Sequence, residues 1–258
     1  MKVMKFGGSS LRTGKDLERI AKLILQLDDE PVIVVSALQG VTDHILKALP
    51  AIKESESNVQ ALVDHLRERH MTTVHELDPA LGEPARAVLD PAFEKLERLL
   101  YGIAYTEELT PKTQDLAVSF GERLSARLMA LAIQREGTPS EHWDADELGI
   151  LTDGNFGMAT ARLEESAKNV RAHLEPQVKE GIIPVVTGFF GRDDDGHVTT
   201  FGRGGSDYSA AVLARALGAE ALEVWKDVDG FLTADPEKID KARPLPYMTY
   251  DEAAELAY

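Results

Sequence analysis

The stretch KFGGSS (residues 5–10) sets a lysine, two glycines and two hydroxyls side by side. Glycines let backbone N–H groups approach an oxyanion closely, lysine adds a point charge, and serine hydroxyls add further donors. That is the chemistry of a small anion site, although a strand-to-helix turn with a serine cap is the plainer reading. A second cluster, TTFGRGGSDYSAAVLARALG (199–218), weighs against the plainer one. Gly202, Gly204 and Gly205 surround Arg203 there, and Ser206 and Asp207 open a helical pattern that ends near Gly218. A helix start contributes partial positive charge, and Arg203 offers a planar fork matched to carboxylate or phosphate. Two glycine clusters, each with an embedded cation, point to a bound small anion.

Neither cluster is a common nucleotide fingerprint. In KFGGSS the lysine precedes the glycines, unlike G-x-x-x-x-G-K-[ST], and neither cluster fits G-x-G-x-x-G with a later acidic residue. Further polar groups stand at element ends. VVSALQGVTD (34–43) places Ser36, Gly40 and Thr42 just past an apolar strand, where parallel sheets bind ligands. Glu122, in SFGERLSARL (119–128), follows Gly121, falls off the leucine stripe of its helix and reads most plainly as a solvated glutamate. In EVWKDVDGFLTADP (223–236), Asp227, Asp229 and Asp235 suit either a magnesium–nucleotide complex or a turn. DDDG (193–196) lacks the spacing of a calcium loop and reads as a turn. The histidines show no zinc spacing; His65, His70 and His75 recur every five residues and read as surface residues.

These groups need a frame. Leu17, Ile20, Ala21, Ile24 and Leu27 share one helical face, predicting an amphipathic helix over 15–28. PVIVVSA (31–37) is the unbroken β-branched run of a strand buried on both faces, so the first elements form a βαβ unit. Residues 42–136 read as mostly helical, with breaks near Pro79, Pro84, Pro91 and Pro111. The clearest helix covers 109–137, with Leu116, Phe120, Leu124, Leu128 and Leu131 on one face and Gly137 as its stop. Short strands and loops near 140, a helix over 161–180 and a second buried strand, GIIPVVTGFFG (181–191), follow. RDDDGHVTTFG (192–202) predicts a hairpin turning at Asp195-Gly196, residues 206–217 a helix, ALEVW (221–225) a strand, and TYDEAAELAY a final helix. The expected fold class is α/β, one compact unit around a mainly parallel sheet sandwiched between helices, with a helical insertion.

Composition narrows the partners. The 258 residues carry 44 acidic and 28 basic side chains, a net charge of −16 that repels nucleic acid and anionic membranes. A phosphate-bearing ligand must then be small and met by a few local donors. No run of about 18 apolar residues suggests a membrane span. The start shows no basic or apolar leader pattern, and zero cysteines suit a cytoplasmic setting. No Ser-His-Asp or Cys-His arrangement is evident.

Taken in order, KFGGSS, VVSALQGVTD, SFGERLSARLMA, TTFGRGGSDYSAAVLA and WKDVDGFLTADP resemble the catalytic domain of the aspartate kinase family, within the amino-acid-kinase fold. The resemblance runs from Val3 to the last residue, with 45–110 matching only as a helical insert. It implies ATP-dependent phosphorylation of L-aspartate, with Mg²⁺ carried by ATP and no assigned protein metal ligand. Lys5 and Asp207 are then catalytic, Lys5 at the transferred phosphoryl group and Asp207 orienting lysine. Gly7, Gly8 and Ser9 surround the phosphates, and Lys226, Asp227 and Leu232 serve the nucleotide. Ser36, Thr42, Phe189, Gly205 and Ser206 border the amino-acid site. Glu122 takes the substrate ammonium and Arg203 its α-carboxylate. The resemblance further implies an amino-acid lobe near 1–190 and a nucleotide lobe near 191–258. Many members carry threonine where this chain has Lys226. The family pattern continues past EAAELAY with an FGAKVLHP-like segment and paired ACT regulatory domains, through which its members usually assemble, so either a truncated catalytic domain or a naturally minimal protein is expected, and the uncapped end of the last helix favours the former. Another amino-acid kinase, resembling glutamate 5-kinase, and a binding-competent but catalytically weak fragment are the alternatives.

Overall fold

The computed structural model describes residues 1–27, 31–226, 230–235 and 238–257. Strand β1 (Lys2–Phe6) leads through a 3-10 turn (Gly8–Ser10) into α1 (Gly14–Leu25) and then β2 (Pro31–Val35). The helical segment comprises α2 (Val41–Glu54), α3 (Ser57–Leu77), α4 (Gly82–Thr106) and α5 (Pro111–Arg135). The chain continues through β3 (Ser140–Trp143), the one-turn α6 (Ala145–Leu148), α7 (Leu163–Lys179) and β4 (Ile183–Thr187). A short antiparallel hairpin, β5 (Phe190–Arg192) and β6 (Val198–Thr200), precedes α8 (Gly205–Leu217) and β7 (Ala221–Trp225).

The sheet order is β3-β4-β2-β1-β7, and each of these pairings is parallel. The alternation of side chains along each strand divides the core into two layers. Met4, Phe6, Ile33, Val35 and Val185 pack with the helical segment α1–α5. Val3, Val32, Val34 and Val186 face the other way, onto α6, α7 and α8. Both faces are covered, as the unbroken apolar runs predict. By the same alternation Lys5 shares a face with Val3 and points toward α8.

Some expectations change. His70 is fully buried between α3 and α4, because it lies four residues from both Leu66 and Val74 on the buried stripe of α3. Pro84 and Pro91 do not break the chain's helical course, since α4 runs through both. Pro84 sits in the first turn, where no partner N–H is needed, and Pro91 deprives only the solvent-facing Ala87 carbonyl, which water can serve. The strand predicted over 31–37 ends at Val35.

The chain divides into two units rather than one, Met1–Trp225 and Lys226–Tyr258. In the second, Leu232 bridges Pro244, and α9 (Tyr250–Ala257) opens on a reciprocal cap. There Thr249 N–H donates to Glu252 Oε2 and Glu252 N–H to Thr249 Oγ1.

Candidate active site

The carboxyl ends of β1, β2 and β4 place three loops side by side. Phe6 O accepts the Ser36 N–H at 3.1 Å, and Val35 O accepts the Gly188 N–H at 2.9 Å, so each strand carries its pairing one residue into the loop. Gly7 and Gly8 then turn the chain sharply. A Cβ on Gly8 would stand 3.2 Å from Ala37 O, and one on Gly7 would stand 3.4 Å from Lys5 Nζ. Gly8 therefore admits the neighbouring loop, while a Cβ on Gly7 would make only ordinary contact with the lysine. Lys5 is 5% exposed, and its Nζ lies 2.6 Å from Asp207 Oδ1 in the first turn of α8.

From the opposite face, α5 brings Glu122. Gly121 makes this possible, since a Cβ there would meet Ala37 Cβ at 2.8 Å and Thr42 Oγ1 at 3.2 Å. With that contact open, Glu122 Oε1 accepts the Ala37 N–H at 3.1 Å, and the residue is only 3% exposed. Its other oxygen, Oε2, is buried with no hydrogen-bond partner. Burial pushes the carboxyl up to about 8, against the opposing pull of the Ala37 N–H and the Lys5 charge. Glu122 lines a cavity of about 200 Å³ together with Gly8, Ser9, Ser36, Gly40 and Thr42. The solvated-helix reading of Glu122 is excluded by its burial. A buried carboxyl group with a spare oxygen on a polar cavity can accept from a ligand N–H and, once ionised, pair with a ligand cation.

The third loop crosses the start of α8. A Cβ on Gly188 would meet Ser206 Cβ at 2.7 Å, and one on Gly205 would meet Phe189 Cδ2 at 2.9 Å. Phe189 adopts φ 80°, a left-handed conformation uncommon for a bulky residue. It is held there from both sides, its N–H donating to Ser209 Oγ at 2.8 Å and its carbonyl accepting from Phe201 N–H at 2.9 Å. Arg203 is exposed on the turn just before α8, and it does not line the Glu122 cavity. Lys226 and Leu232 belong to the second unit, and Asp227 and Asp229 lie outside the described residues. DDDG is the predicted turn, with Gly196 at φ 82° and Asp193 Oδ1 accepting the His197 N–H.

Residues absent from the sequence reading complete the scaffold. Arg123 is buried beside Glu122 and donates to Asp144 Oδ2 at 2.7 Å and Asp146 Oδ2 at 2.8 Å, with its guanidinium 4.8 Å from the Phe190 ring centroid. Arg127 grips the same Asp144. Desolvation of Asp144 is outweighed by its two arginines, which hold its carboxyl at about 2. Small residues on every side of α5, among them Ala117, Ser119, Gly121, Ser125 and Ala126, are the signal that could have revealed this. A helix buried all round must pair its charges.

A model of the amino acid kinase family matches residues 1–258. The chain belongs to that family. It is 43% identical over 262 residues to aspartokinase 3, chloroplastic, of Arabidopsis thaliana, covering 99% of this chain and 46% of that protein. It is 31% identical over 260 residues to the lysine-sensitive aspartokinase 3 of Escherichia coli strain K12, covering 99% and 55%. The solved structure of E. coli aspartokinase III in complex with aspartate and ADP is similar at a TM-score of 0.88 and 29% identity, over 100% of this chain and 56% of that one. This amino acid kinase chain thus spans about half the length of the relatives it matches. Among its described residues, no helix is long and apolar enough to cross a membrane.

Proposed function

We propose that this amino acid kinase chain transfers the γ-phosphoryl group of ATP to the β-carboxylate of L-aspartate, giving 4-phospho-L-aspartate and ADP, the first step toward lysine, threonine and methionine. The observation that carries the reading is Glu122, a buried carboxylate whose unpartnered oxygen lines a polar cavity at the carboxyl end of the sheet. A free α-ammonium brings that oxygen both a donor and the opposite charge, whereas the amide of an N-acylated amino acid brings no charge. The likeness to a structure holding aspartate and ADP supports the same ligands here.

An aspartate β-carboxylate is already ionised at neutral pH, so no strong general base is required. Transfer then rests on alignment and charge neutralisation. Lys5 is set to neutralise charge on the moving phosphoryl group, with Asp207 fixing its ammonium. Gly7, Gly8 and Ser9 offer close-approaching donors to phosphate oxygens. Ser36, Thr42, Phe189, Gly205 and Ser206 border the amino acid, and Arg203 takes its α-carboxylate. Lys226, Asp227 and Leu232 serve the nucleotide in a lobe near 191–258, and residues near 1–190 form the amino-acid lobe. Mg²⁺ arrives with ATP and neutralises phosphate charge; the compact cation of Lys5 beside two glycines fits a magnesium–triphosphate. A cytoplasmic setting, and assembly into homo-oligomers through regulatory domains of the whole protein, complete the reading.

Incubation with ATP, Mg²⁺ and hydroxylamine tests it, because hydroxylamine converts an acyl phosphate to a stable hydroxamate. Aspartate is expected to give the β-hydroxamate, and glutamate and N-acetylaspartate little or none. Product from glutamate in preference to aspartate would move the chain to a glutamate-kinase activity.

A further inference from the structure

Asp115 is 2% exposed on α5 and accepts three hydrogen bonds. Its Oδ2 takes the N–H of Gly157 at 2.8 Å and of Thr200 at 2.8 Å, and its Oδ1 takes the Thr200 hydroxyl at 3.0 Å. These donors belong to the two segments that flank one glycine. Thr200 is the last residue of β6, directly before the turn that carries Arg203. Gly157 presses on the same turn from the other side, since a Cβ on Gly202 would stand 2.9 Å from Gly157 O. Ala159 N–H also donates to Thr200 O at 2.9 Å, so the foot of the turn is fixed on both faces.

Glu122 lies seven residues further along the same helix. Seven residues bring the helix within about 20° of two full turns and advance it about 10.5 Å. One face of α5 therefore carries both the cavity carboxylate and the clamp on the turn of Arg203. We propose that Asp115 is a positioning residue for the amino-acid substrate: by gripping Gly157 and Thr200 it fixes Arg203 at a set distance from Glu122, so that α5 measures the separation between the substrate's α-carboxylate and its ammonium. This rests on the reading of Arg203 and Glu122 given above. Asp115 touches no substrate; its effect passes through the turn, and ATP binding is independent of it.

Titration calorimetry on the whole chain, with L-aspartate and with Mg²⁺–ATP separately, tests this. Asp115→Ala is expected to raise the aspartate Kd about tenfold or more and to leave the ATP Kd within about twofold. Asp115→Asn should stay within about threefold of the parent for aspartate. Its amide oxygen can accept both N–H groups, and Thr200 Oγ1 can reverse its role and accept from the amide. Equal weakening of both ligands by Asp115→Ala, unchanged aspartate binding, or an Asn variant as poor as the Ala variant overturns the proposal. If Asp115→Ala gives no cooperative melt, Thr200→Val removes a single donor and should weaken aspartate about threefold, and no change there is equally fatal. Arg203→Lys separates the two layers of the argument. Unchanged aspartate affinity in that variant defeats the Arg203 reading, whereas a loss there without a loss in Asp115→Ala defeats the clamp alone. A parent chain that binds ATP and not aspartate contradicts both.

Discussion

Lys5 Nζ stands 2.6 Å from Asp207 Oδ1, joining the carboxyl end of β1 to the first turn of α8. The period of β1 aims the lysine at α8. Asp207 is the more exposed partner, so water can serve it when the lysine is lost. Lys5→Met should therefore change stability by no more than about 1 kcal/mol. It should lower kcat about 100-fold or more while ATP affinity stays within a few-fold, as for a group that acts on charge developing in transfer. Steady-state kinetics with an ATP-binding titration checks this; a kcat within about threefold of the parent removes Lys5 from the chemistry.

Glu122 couples function to pH. Its carboxyl is raised to about 8 in the fold from an ordinary 4.5, so the folded state holds the proton that the unfolded state has released between those values. Its contribution to stability is full below 4.5 and is lost as pH rises through 8, on the order of 4 kcal/mol across the window. Glu122→Gln should raise the Tm over the parent at pH 8 and bring little gain at pH 4.5, while abolishing the preference for aspartate over N-acetylaspartate. Aspartate binding near pH 7 should release a proton, measurable as a buffer-dependent binding enthalpy. Thermal melts at the two pH values that leave the variant and parent in constant separation would refute the assignment.

His70 titrates in the opposite sense. Desolvation lowers it to about 4 from 6.5, with Nδ1 at 2.6 Å from Leu66 O and Nε2 without a partner. The neutral ring is accommodated above 6.5, and stability falls as pH drops through 4, by on the order of 3 kcal/mol in all. His70→Leu should flatten the dependence of urea-unfolding free energy between pH 6.5 and 4. An unchanged slope would assign that acid sensitivity to other groups.

The Arg123–Asp144–Arg127 network should be worth far more than surface pairs. Asp144→Ala leaves two arginines in a buried site and should destabilise by about 3–5 kcal/mol. Arg162→Ala, which breaks the exposed pair with Asp194, should change stability by less than about 1 kcal/mol. Urea denaturation of both variants compares them directly, and similar losses would show that the buried network carries no special weight.

The sheet was legible because its middle strands are β-branched on both faces, and KFGGSS and FGRGGSD were legible because glycines beside cations are chemically conspicuous. Glu122 was found through its motif, but its burial was not. The leucine stripe suggested one buried face of α5, whereas the helix is covered all round. Asp115 and Arg123 escaped for a related reason. Their partners or neighbours lie far along the chain, such as Thr200 for Asp115 and Asp144 for Arg123, and local periodicity does not report such contacts. Pro91 misled because a proline on the solvent side of a helix removes a hydrogen bond that water replaces.

The fate of one oxygen tests the central claim most directly. Aspartate labelled with ¹⁸O in its β-carboxylate is incubated with the chain, Mg²⁺–ATP and hydroxylamine, and the released phosphate is weighed by mass spectrometry. Attack of the β-carboxylate on the γ-phosphorus makes the bridging oxygen ¹⁸O. Hydroxylamine then adds to the acyl carbon, the carbon–oxygen bond breaks, and phosphate leaves with that oxygen. The account predicts phosphate carrying one ¹⁸O in step with β-hydroxamate. Unlabelled phosphate would show that water or another acceptor received the phosphoryl group, and would contradict it.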